Sequence, residues 1–291
     1  MNGETANLDF TQLVSLRFQE LTKSEKRIAS FLRKNLDESA FLSAAEVADR
    51  LGVSEATVVR FARTLGYASY PALRSDLQNN FRKRITHSSR LRSKLDDLRE
   101  AGDIFERLTV SEIDYLTQAL ETVDRAQLNK AVELLKERNR VYVFGLGPSE
   151  TLVDLLELRL KRSAKQVVTL TNAGREVLEN LLLMNSSDVL FVIAFFDLNP
   201  TLNLVLEYAH EAGCKIILLT DTLESLIGDK ADVVLTARRG PVSKFHSLVV
   251  PMTIVNTLLL ALAGEDQEKI IPVLDKLDTL RERLKILTKS D

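Results

Sequence analysis

Three acidic side chains follow apolar runs in this sequence. Glu150 ends the loop GLGPSE, Asp197 lies within FFDLNPT, and Asp221 directly follows CKIILLT. Apolar runs of this length, bounded by turn signals, are typical of buried strands in a parallel sheet. Open α/β sheets bind ligands where their strands end. Three carboxylates at such an edge could hold an uncharged or cationic ligand, but they would repel a phosphate.

The loop GLGPSE nevertheless contains groups that suit an anion. Gly145 and Gly147 allow the backbone to approach a ligand closely. Pro148 fits the first turn of a helix, and Ser149 with the free amides of that helix could hold a phosphate. Glu150 in the same turn already satisfies the helix dipole. The loop is therefore also consistent with a tight strand-to-helix turn that binds nothing.

Five apolar runs predict the elements that would position these loops. Helical spacing connects the first four runs, and this alternation predicts a five-stranded parallel sheet covered by helices on both faces. If the strand order is 2-1-3-4-5, the switch point lies between strands 1 and 3, where GLGPSE and FFDLNPT flank it. The runs are VYVF (141–144), QVVTL (166–170), DVLFVIAF (188–195), CKIILLT (214–220) and DVVLTA (232–237).

The N-terminal part has a different pattern and a different charge. Residues 1–81 show only helical spacing, so we expect an all-α domain there, a basic linker at 82–102 and an α/β domain at 103–291. Residues 1–95 carry 16 Lys and Arg against 10 Asp and Glu, whereas the remainder carries 23 against 31. A basic segment on an acidic body indicates nucleic-acid binding at one end. A solvated, Arg-rich linker helix is the alternative.

The segment LSAAEVADRLGVSEATVVRFARTLGY, residues 42–67, predicts a helix-turn-helix. Ser43 and Glu46 have the spacing of a capping box. Gly52 stands where a helix end needs a left-handed residue, and Ser54 can cap a second helix. That second helix would enter a major groove with its N-terminal end first. The alternative is a helical hairpin that binds no DNA.

The second helix and the positive charge around it supply the candidate DNA contacts. Arg60 could read guanine through a bidentate pair, and Glu55 could accept a hydrogen bond from cytosine. Ser54, Ala56 and Thr57 complete the surface that would face base edges or phosphates. The other basic candidates would contact phosphates and set affinity rather than sequence preference; they are Arg63, Arg74, Arg82, Lys83 and Arg84.

The N-terminal segment resembles a known family. LTKSEKRIASFLRKN, followed by LSAAEVADRLGVSEATVVRFARTLGYASYPALRSDL, is similar to the N-terminal domain of RpiR-type bacterial regulators over residues 10–85. The resemblance implies that residues 130–262 form a sugar-isomerase (SIS) domain, an α/β module that binds phosphosugars. It also implies a ligand-sensing transcription factor, a homodimer or homotetramer that acts on double-stranded DNA at genes of sugar metabolism.

The second loop departs from that family. SIS domains carry a serine-x-serine-glycine-x-threonine loop there, whose hydroxyls and amides wrap the phosphate. In this sequence Phe196 and Leu198 occupy the serine positions, Asn199 replaces the glycine, and only Thr201 matches. The resemblance therefore implies a ligand site whose usual phosphate-binding groups are partly lost.

Three interpretations of this edge stay open. The effector is a phosphosugar held through Ser149, Thr201 and a basic group, or an uncharged or cationic ligand held by the carboxylates and Phe rings, or the site is vestigial and the domain only oligomerises. The basic group would be one of Arg175, Arg238, Arg239 and Lys244. The candidate effector residues are Gly145, Gly147, Ser149, Glu150, Asp197, Asn199, Thr201 and Asp221.

Neither catalysis nor a membrane location is expected. Cys214 is the single cysteine, and His210 and His246 are the only histidines of the α/β part, each in a context typical of a structural or solvated side chain. No metal-ligand cluster, cofactor motif, membrane-length run or secretion signal is visible. We therefore predict a cytoplasmic, non-enzymatic regulator without metal or cofactor. A SIS-type phosphosugar isomerase with a helical appendage is the alternative.

A leucine stripe closes the sequence. Leu277, Leu280, Leu284 and Leu287 recur at spacings of 3, 4 and 3 in a helical segment. The stripe could form a short helix-pairing seam, but two heptads are too few for a coiled coil, and such a stripe more often packs on its own domain.

Overall fold

The computed structural model describes residues 10–84, 88, 91–92, 95, 103–195, 198–221, 223, 227–239 and 246–287. The chain separates into two compact units, with the division between Arg107 and Leu108; His246 belongs to the first unit and the residues from Ser247 to the second. The predicted sequence of a helical part and an α/β part is confirmed. The boundaries predicted at residues 81 and 102 remain predictions.

The first unit is built from helices that pack around one apolar core. Ile28, Leu32, Val58, Phe61 and Leu73 are fully buried in it, and their three- and four-residue spacing within each helix gives every helix one apolar face. From Phe10 to Arg84 the helices are α1 (Phe10–Arg17), α2 (Lys23–Lys34), α3 (Leu36–Ser39), α4 (Ala44–Leu51), α5 (Glu55–Thr64) and α6 (Tyr70–Arg84).

The second unit contains a five-stranded parallel sheet in the order β2-β1-β3-β4-β5, as expected. The strands are β1 (Arg140–Gly145), β2 (Gln166–Leu170), β3 (Val189–Ile193), β4 (Lys215–Thr220) and β5 (Val233–Thr236). The helices are α7 (Ile104–Thr122), which begins just before the division, α8 (Arg125–Glu137), α9 (Glu150–Arg162), α10 (Leu178–Leu181), α11 (Pro200–Glu211), α12 (Val249–Glu265) and α13 (Gln267–Leu287).

Both faces of the sheet are covered, because alternate strand residues enter two separate cores. In β1, Val141 and Val143 join a core built with α8, α9 and α12, whereas Tyr142 and Phe144 join a core built with α10 and α11. Two-sided burial explains why the strands are continuous apolar runs rather than alternating ones.

The connection from β2 to β3 is less helical than the spacing suggested. It contains one turn of 3₁₀-helix and the four-residue α10. Beyond α10, backbone polar atoms bond to side chains rather than within a helix. The Arg140 guanidinium donates to the Leu183 carbonyl at 2.6 Å, and the Asn185 amide donates to Asp188 at 2.9 Å.

The last two helices differ in their surroundings. The apolar helix α12 is buried along one whole side, whereas α13 exposes most of its length. Within the described residues no helix is by itself long and apolar enough to cross a membrane; α12 and α13 meet that test only as a pair bent by 103°.

Candidate DNA-binding surface and ligand site

The turn between α4 and α5 has the geometry that its residues predict. The Ser43 amide donates to Glu46 at 2.7 Å and the Glu46 amide donates to the Ser43 hydroxyl at 3.2 Å, which completes a capping box. Gly52 ends α4 in the left-handed region, with φ of 61°. Ser54 then caps α5 by accepting from the Thr57 amide. The helix-turn-helix prediction is therefore confirmed.

One face of α5 is exposed and carries the predicted reading residues. Val58, Phe61 and Ala62 are buried on its opposite face. Arg60 lies on the outer face, where its guanidinium donates to the Thr57 hydroxyl at 3.3 Å. The outer face presents Ser54, Glu55, Ala56, Arg60 and Arg63 as exposed residues and Thr57 as a half-buried one.

Thr57 organises that surface. Its hydroxyl lies 2.8 Å from the Ser54 hydroxyl, so Ser54, Thr57 and Arg60 form a continuous polar row along the first two turns of α5. Among the other predicted phosphate contacts, Arg74 is half-buried on α6. The side chains of Arg82, Lys83 and Arg84 lie outside the described residues.

Two residues that the local motif did not indicate hold α5 in place. The Arg17 guanidinium donates to the Thr64 carbonyl at 2.7 Å, where a cation complements the C-terminal end of the helix. The Thr64 hydroxyl donates to Glu25 at 2.7 Å. Burial alone would raise the pKa of this carboxyl, but hydrogen bonds from Thr22 and Thr64 and the charge of Arg60 lower it overall. Charged side chains of α1 and α2 thus fix the reading helix.

In the second unit the two predicted loops leave the sheet side by side. Gly145, the last residue of β1, pairs with Ile193, the last residue of β3. A side chain at Gly145 would have its Cβ 2.8 Å from a methyl group of Val153, so only glycine allows α9 to lie this close to the strand. The two loops therefore begin side by side at the switch point of the sheet.

The first loop is closed by its own side chain. The Gly147 amide donates to Glu150 Oε1 at 2.8 Å, and Gly147 adopts a positive φ of 60°. The Ser149 side chain is mostly buried beside it. An amide that would suit an anion is therefore already bound to a carboxylate, as the position of Glu150 in the first turn suggested.

In the described part of the second loop, side chains also accept hydrogen bonds from backbone amides. The side chain of Asn199 caps α11 by accepting from the Leu202 amide at 2.8 Å, and Pro200 has no amide hydrogen to offer. The Thr201 hydroxyl accepts from the Gly174 amide at 3.3 Å. Asp197, predicted to contact the effector, lies outside the described residues.

The sequence predicted three carboxylates at this edge of the sheet, and the structure shows that the charge of one of them, Asp221, is compensated. Asp221 does not add an uncompensated negative charge, because Arg239 donates to its Oδ2 through both Nε and Nη2 at 2.9 Å. Both side chains are more than nine-tenths buried, and the guanidinium lies 3.8 Å above the centre of the Phe195 ring. The sequence placed both residues at the edge, but it did not predict that they neutralise each other.

Burial lowers the pKa of Arg239, and the charge and hydrogen bonds of Asp221 counteract that effect.

The other basic candidates that the structure describes are not buried in this way. Arg175 and Arg238 are exposed. Lys244 lies outside the described residues.

Comparison with known proteins identifies both units. The family model described as "Helix-turn-helix domain, rpiR family" matches residues 9–84, and the model of the SIS domain matches residues 133–261. The chain therefore joins a helix-turn-helix domain that matches the rpiR family model to an SIS domain. It is a helix-turn-helix transcriptional regulator whose second unit is an SIS domain.

Two relatives of this chain are described as HTH-type transcriptional regulators. An uncharacterised HTH-type transcriptional regulator of Haemophilus influenzae is 28% identical over 219 residues, which is 75% of this chain and 76% of the relative. A second HTH-type transcriptional regulator, from Clostridium perfringens, is 26% identical and covers 77% of this chain and 80% of its own length.

Two solved structures have a similar fold. The sugar isomerase domain of an RpiR transcription factor from Sphaerobacter thermophilus superposes with a TM-score of 0.57 at 25% identity, covering 61% of this chain and 99% of that domain. The Vibrio vulnificus NanR protein complexed with ManNAc-6P has a TM-score of 0.61 at 21% identity, covering 94% of this chain and 98% of its own. At that identity the likeness to NanR is one of fold.

Proposed function

We propose that α5 reads operator DNA and that the SIS domain binds a carbohydrate derivative. Binding of this ligand changes the affinity of the protein for that DNA. Sugar phosphates are the first class of ligand to test. The exposed polar row of Ser54, Thr57 and Arg60 on the second helix of the motif carries the DNA part of this proposal. The meeting of the two loops at the switch point carries the ligand part.

The DNA contacts follow from the two faces of α5. Arg60 would read a guanine in the major groove, and Glu55 and Thr57 would face neighbouring bases. Arg63, which is exposed on α5, and Arg74, which is half-buried on α6, would bind phosphates together with Arg82–Arg84. Several such contacts would make the affinity strongly salt-dependent.

At the ligand site, binding would be a competition with the protein's own side chains. A phosphate on a sugar would displace Glu150 from the Gly147 amide and would gain the Ser149 and Thr201 hydroxyls. Exposed Arg175 would then supply the positive charge. The bound ManNAc-6P of the NanR protein is the precedent for this class of ligand. An uncharged or cationic sugar derivative and an unused site are the two competing outcomes.

Replacing Glu150 with glutamine is expected to raise the affinity for a phosphorylated sugar by about tenfold, because the substitution removes the negative charge that repels the phosphate. The glutamine amide oxygen can still accept from the Gly147 amide, so the loop keeps its hydrogen bond. Isothermal titration with ManNAc-6P as the probe would measure this. Glu157→Gln, on the same helix, is the matched control and should leave the affinity unchanged. An unchanged or weaker affinity in Glu150→Gln would argue against a phosphate at this loop.

We infer that the chain is a regulator rather than an isomerase. Its relatives are described as transcriptional regulators. Burial raises the pKa of the Cys214 thiol to about 12, which makes it a poor nucleophile, and the exposed His210 lies on the outer side of α11. Isomerase assays on the same sugar phosphates provide the test, and turnover that survives loss of DNA binding would favour the alternative.

We further propose a cytoplasmic protein that acts as a homodimer or homotetramer assembled through its SIS domain. Two DNA-reading units held at a fixed distance would recognise two half-sites, and a ligand that changes this distance would change the affinity. A single helix-turn-helix reads only a few base pairs, so two of them held together recognise a longer operator.

The deciding experiment is a fluorescence-anisotropy titration of the full chain on the DNA upstream of its own gene. We expect tight binding that falls by about 10³-fold between 50 and 200 mM salt, and a shift of the curve by one compound in a panel of phosphorylated and unphosphorylated sugars. Binding of equal strength to unrelated DNA would overturn the DNA part. Indifference to the whole panel would overturn the ligand part alone.

A further inference from the structure

The leucine stripe of α13 does not pack on its own domain. Leu280 is 52% exposed and Leu287 is 67% exposed, and Leu277 is only half-buried. The stripe consists of Leu277, Leu280, Leu284 and Leu287. Their spacings of 3, 4 and 3 place them on one side of the helix. Packing on its own domain, one of the two alternatives for these residues, is therefore wrong.

A second stripe with the same spacing lies on α7. Val110, Ile113 and Leu120 are 53%, 56% and 72% exposed. Thr117 completes the series, and its hydroxyl donates to the Ile113 carbonyl at 2.9 Å, which removes its need for another polar partner. The opposite side of α7 packs on the core of the domain through Tyr115, a partly buried residue. This stripe therefore points away from its own domain.

The two stripes match in length. Each covers ten residue steps of helix, from Val110 to Leu120 and from Leu277 to Leu287, or about 15 Å at 1.5 Å per residue. Both follow the spacing of a helix-pairing seam. Since both are exposed within one chain, they do not cover each other there.

The charges beside the stripes are complementary. Asp114 and Glu121 directly follow Ile113 and Leu120 on α7. On α13, the positions that flank the stripe in a heptad register are Lys276, Arg281 and Arg283, whereas Asp278 and Lys285 lie farther round the helix. Arg281 also contacts Asp278 of its own helix at 2.9 Å, but such an exposed pair is worth little and leaves the guanidinium available.

We propose that the α7 stripe of one protomer packs against the α13 stripe of a second copy of this chain, and that a two-fold axis repeats the contact. This arrangement rests on the self-association proposed above and names the surface responsible. It brings an acidic margin against a basic one in both halves of the interface. Pairing α13 with α13 would oppose basic margins, and pairing α7 with α7 would oppose acidic ones.

Cysteine cross-linking distinguishes these pairings directly. Two variants of the full chain, Ile113→Cys and Leu280→Cys, are made at exposed positions, and the buried native Cys214 does not compete. With a short bis-maleimide, the mixture should give cross-linked dimers while each variant alone gives none. Cross-links within Leu280→Cys alone, or equal yields with the exposed control Leu158→Cys in place of Leu280→Cys, would overturn the proposal.

Charge reversal provides the second test, by sedimentation equilibrium of the full chain. Asp114→Lys with Glu121→Lys should raise the dimer dissociation constant by about tenfold or more, and adding Lys276→Glu with Arg281→Glu should restore it. All four positions are exposed, so the variants should fold, and circular dichroism checks this. A monomeric wild-type chain would overturn self-association altogether, whereas an oligomer indifferent to both pairs of changes would overturn this surface only.

Discussion

Replacing Arg239 with methionine is expected to lower the free energy of unfolding of the SIS domain by about 3–5 kcal/mol. The guanidinium bonds to Asp221 through two nitrogens at 2.9 Å, and both side chains are more than nine-tenths buried. Methionine has a similar apolar volume and still covers the Phe195 ring, so loss of packing is small. The effect arises because the Asp221 carboxylate loses the cation that compensates its desolvation.

Urea unfolding of the full chain, followed by circular dichroism, measures this change. The matched control is Arg238→Met, because this exposed neighbour should change stability by less than about 0.5 kcal/mol. Combining Asp221→Asn with Arg239→Met should recover part of the loss, since the uncompensated charge is then removed. A loss below about 1 kcal/mol in Arg239→Met would contradict the role assigned to the pair.

Arg60→Ala is expected to weaken operator binding by about 10- to 100-fold, which corresponds to about 1–3 kcal/mol. Arg60 is exposed on α5, and its guanidinium is steadied by the Thr57 hydroxyl. The substitution removes both the proposed base contact and the positive charge. It leaves the buried face of α5, formed by Val58, Phe61 and Ala62, intact.

Fluorescence anisotropy with operator and with unrelated DNA separates the two contributions. Arg60→Lys keeps the charge but lacks the planar fork, so it should lose specificity while the salt dependence stays close to that of the wild type. Arg159→Ala, an exposed arginine on α9, serves as the control and should bind normally. Equal losses on both DNAs in Arg60→Lys would assign Arg60 to phosphate rather than to a base.

The features predicted from the sequence are those whose cause lies within a few residues. Ser43 and Glu46 are three positions apart, and Gly52 ends the helix that they begin, so the motif was visible without a structure. The strand runs likewise follow from two-sided burial. The order of the sheet needed an assumption about the fold, which the structure confirms.

The features that were not predicted depend on residues far apart in the chain. Arg17 reaches the Thr64 carbonyl across 47 positions, and no local pattern indicates which arginine will end a distant helix. The neutralisation of Asp221 by Arg239 requires the residues that follow β4 and β5 to be neighbours. For the short α10, spacing alone suggested more helix, because the competing bond from Arg140 was not visible.

The closed state of the two loops has a consequence for how such a sensor would respond. Glu150 and Asn199 accept hydrogen bonds from backbone amides beside the proposed ligand site, so in the proposed function the protein's own side chains compete with the ligand. A competing group within the protein has a fixed effective concentration. It therefore shifts the ligand concentration that gives a half-maximal response and leaves the maximal response unchanged. Substitutions at these two positions would then move the half-maximal concentration along the axis, which makes the loop pair a natural adjustment point for a biosensor built on this chain.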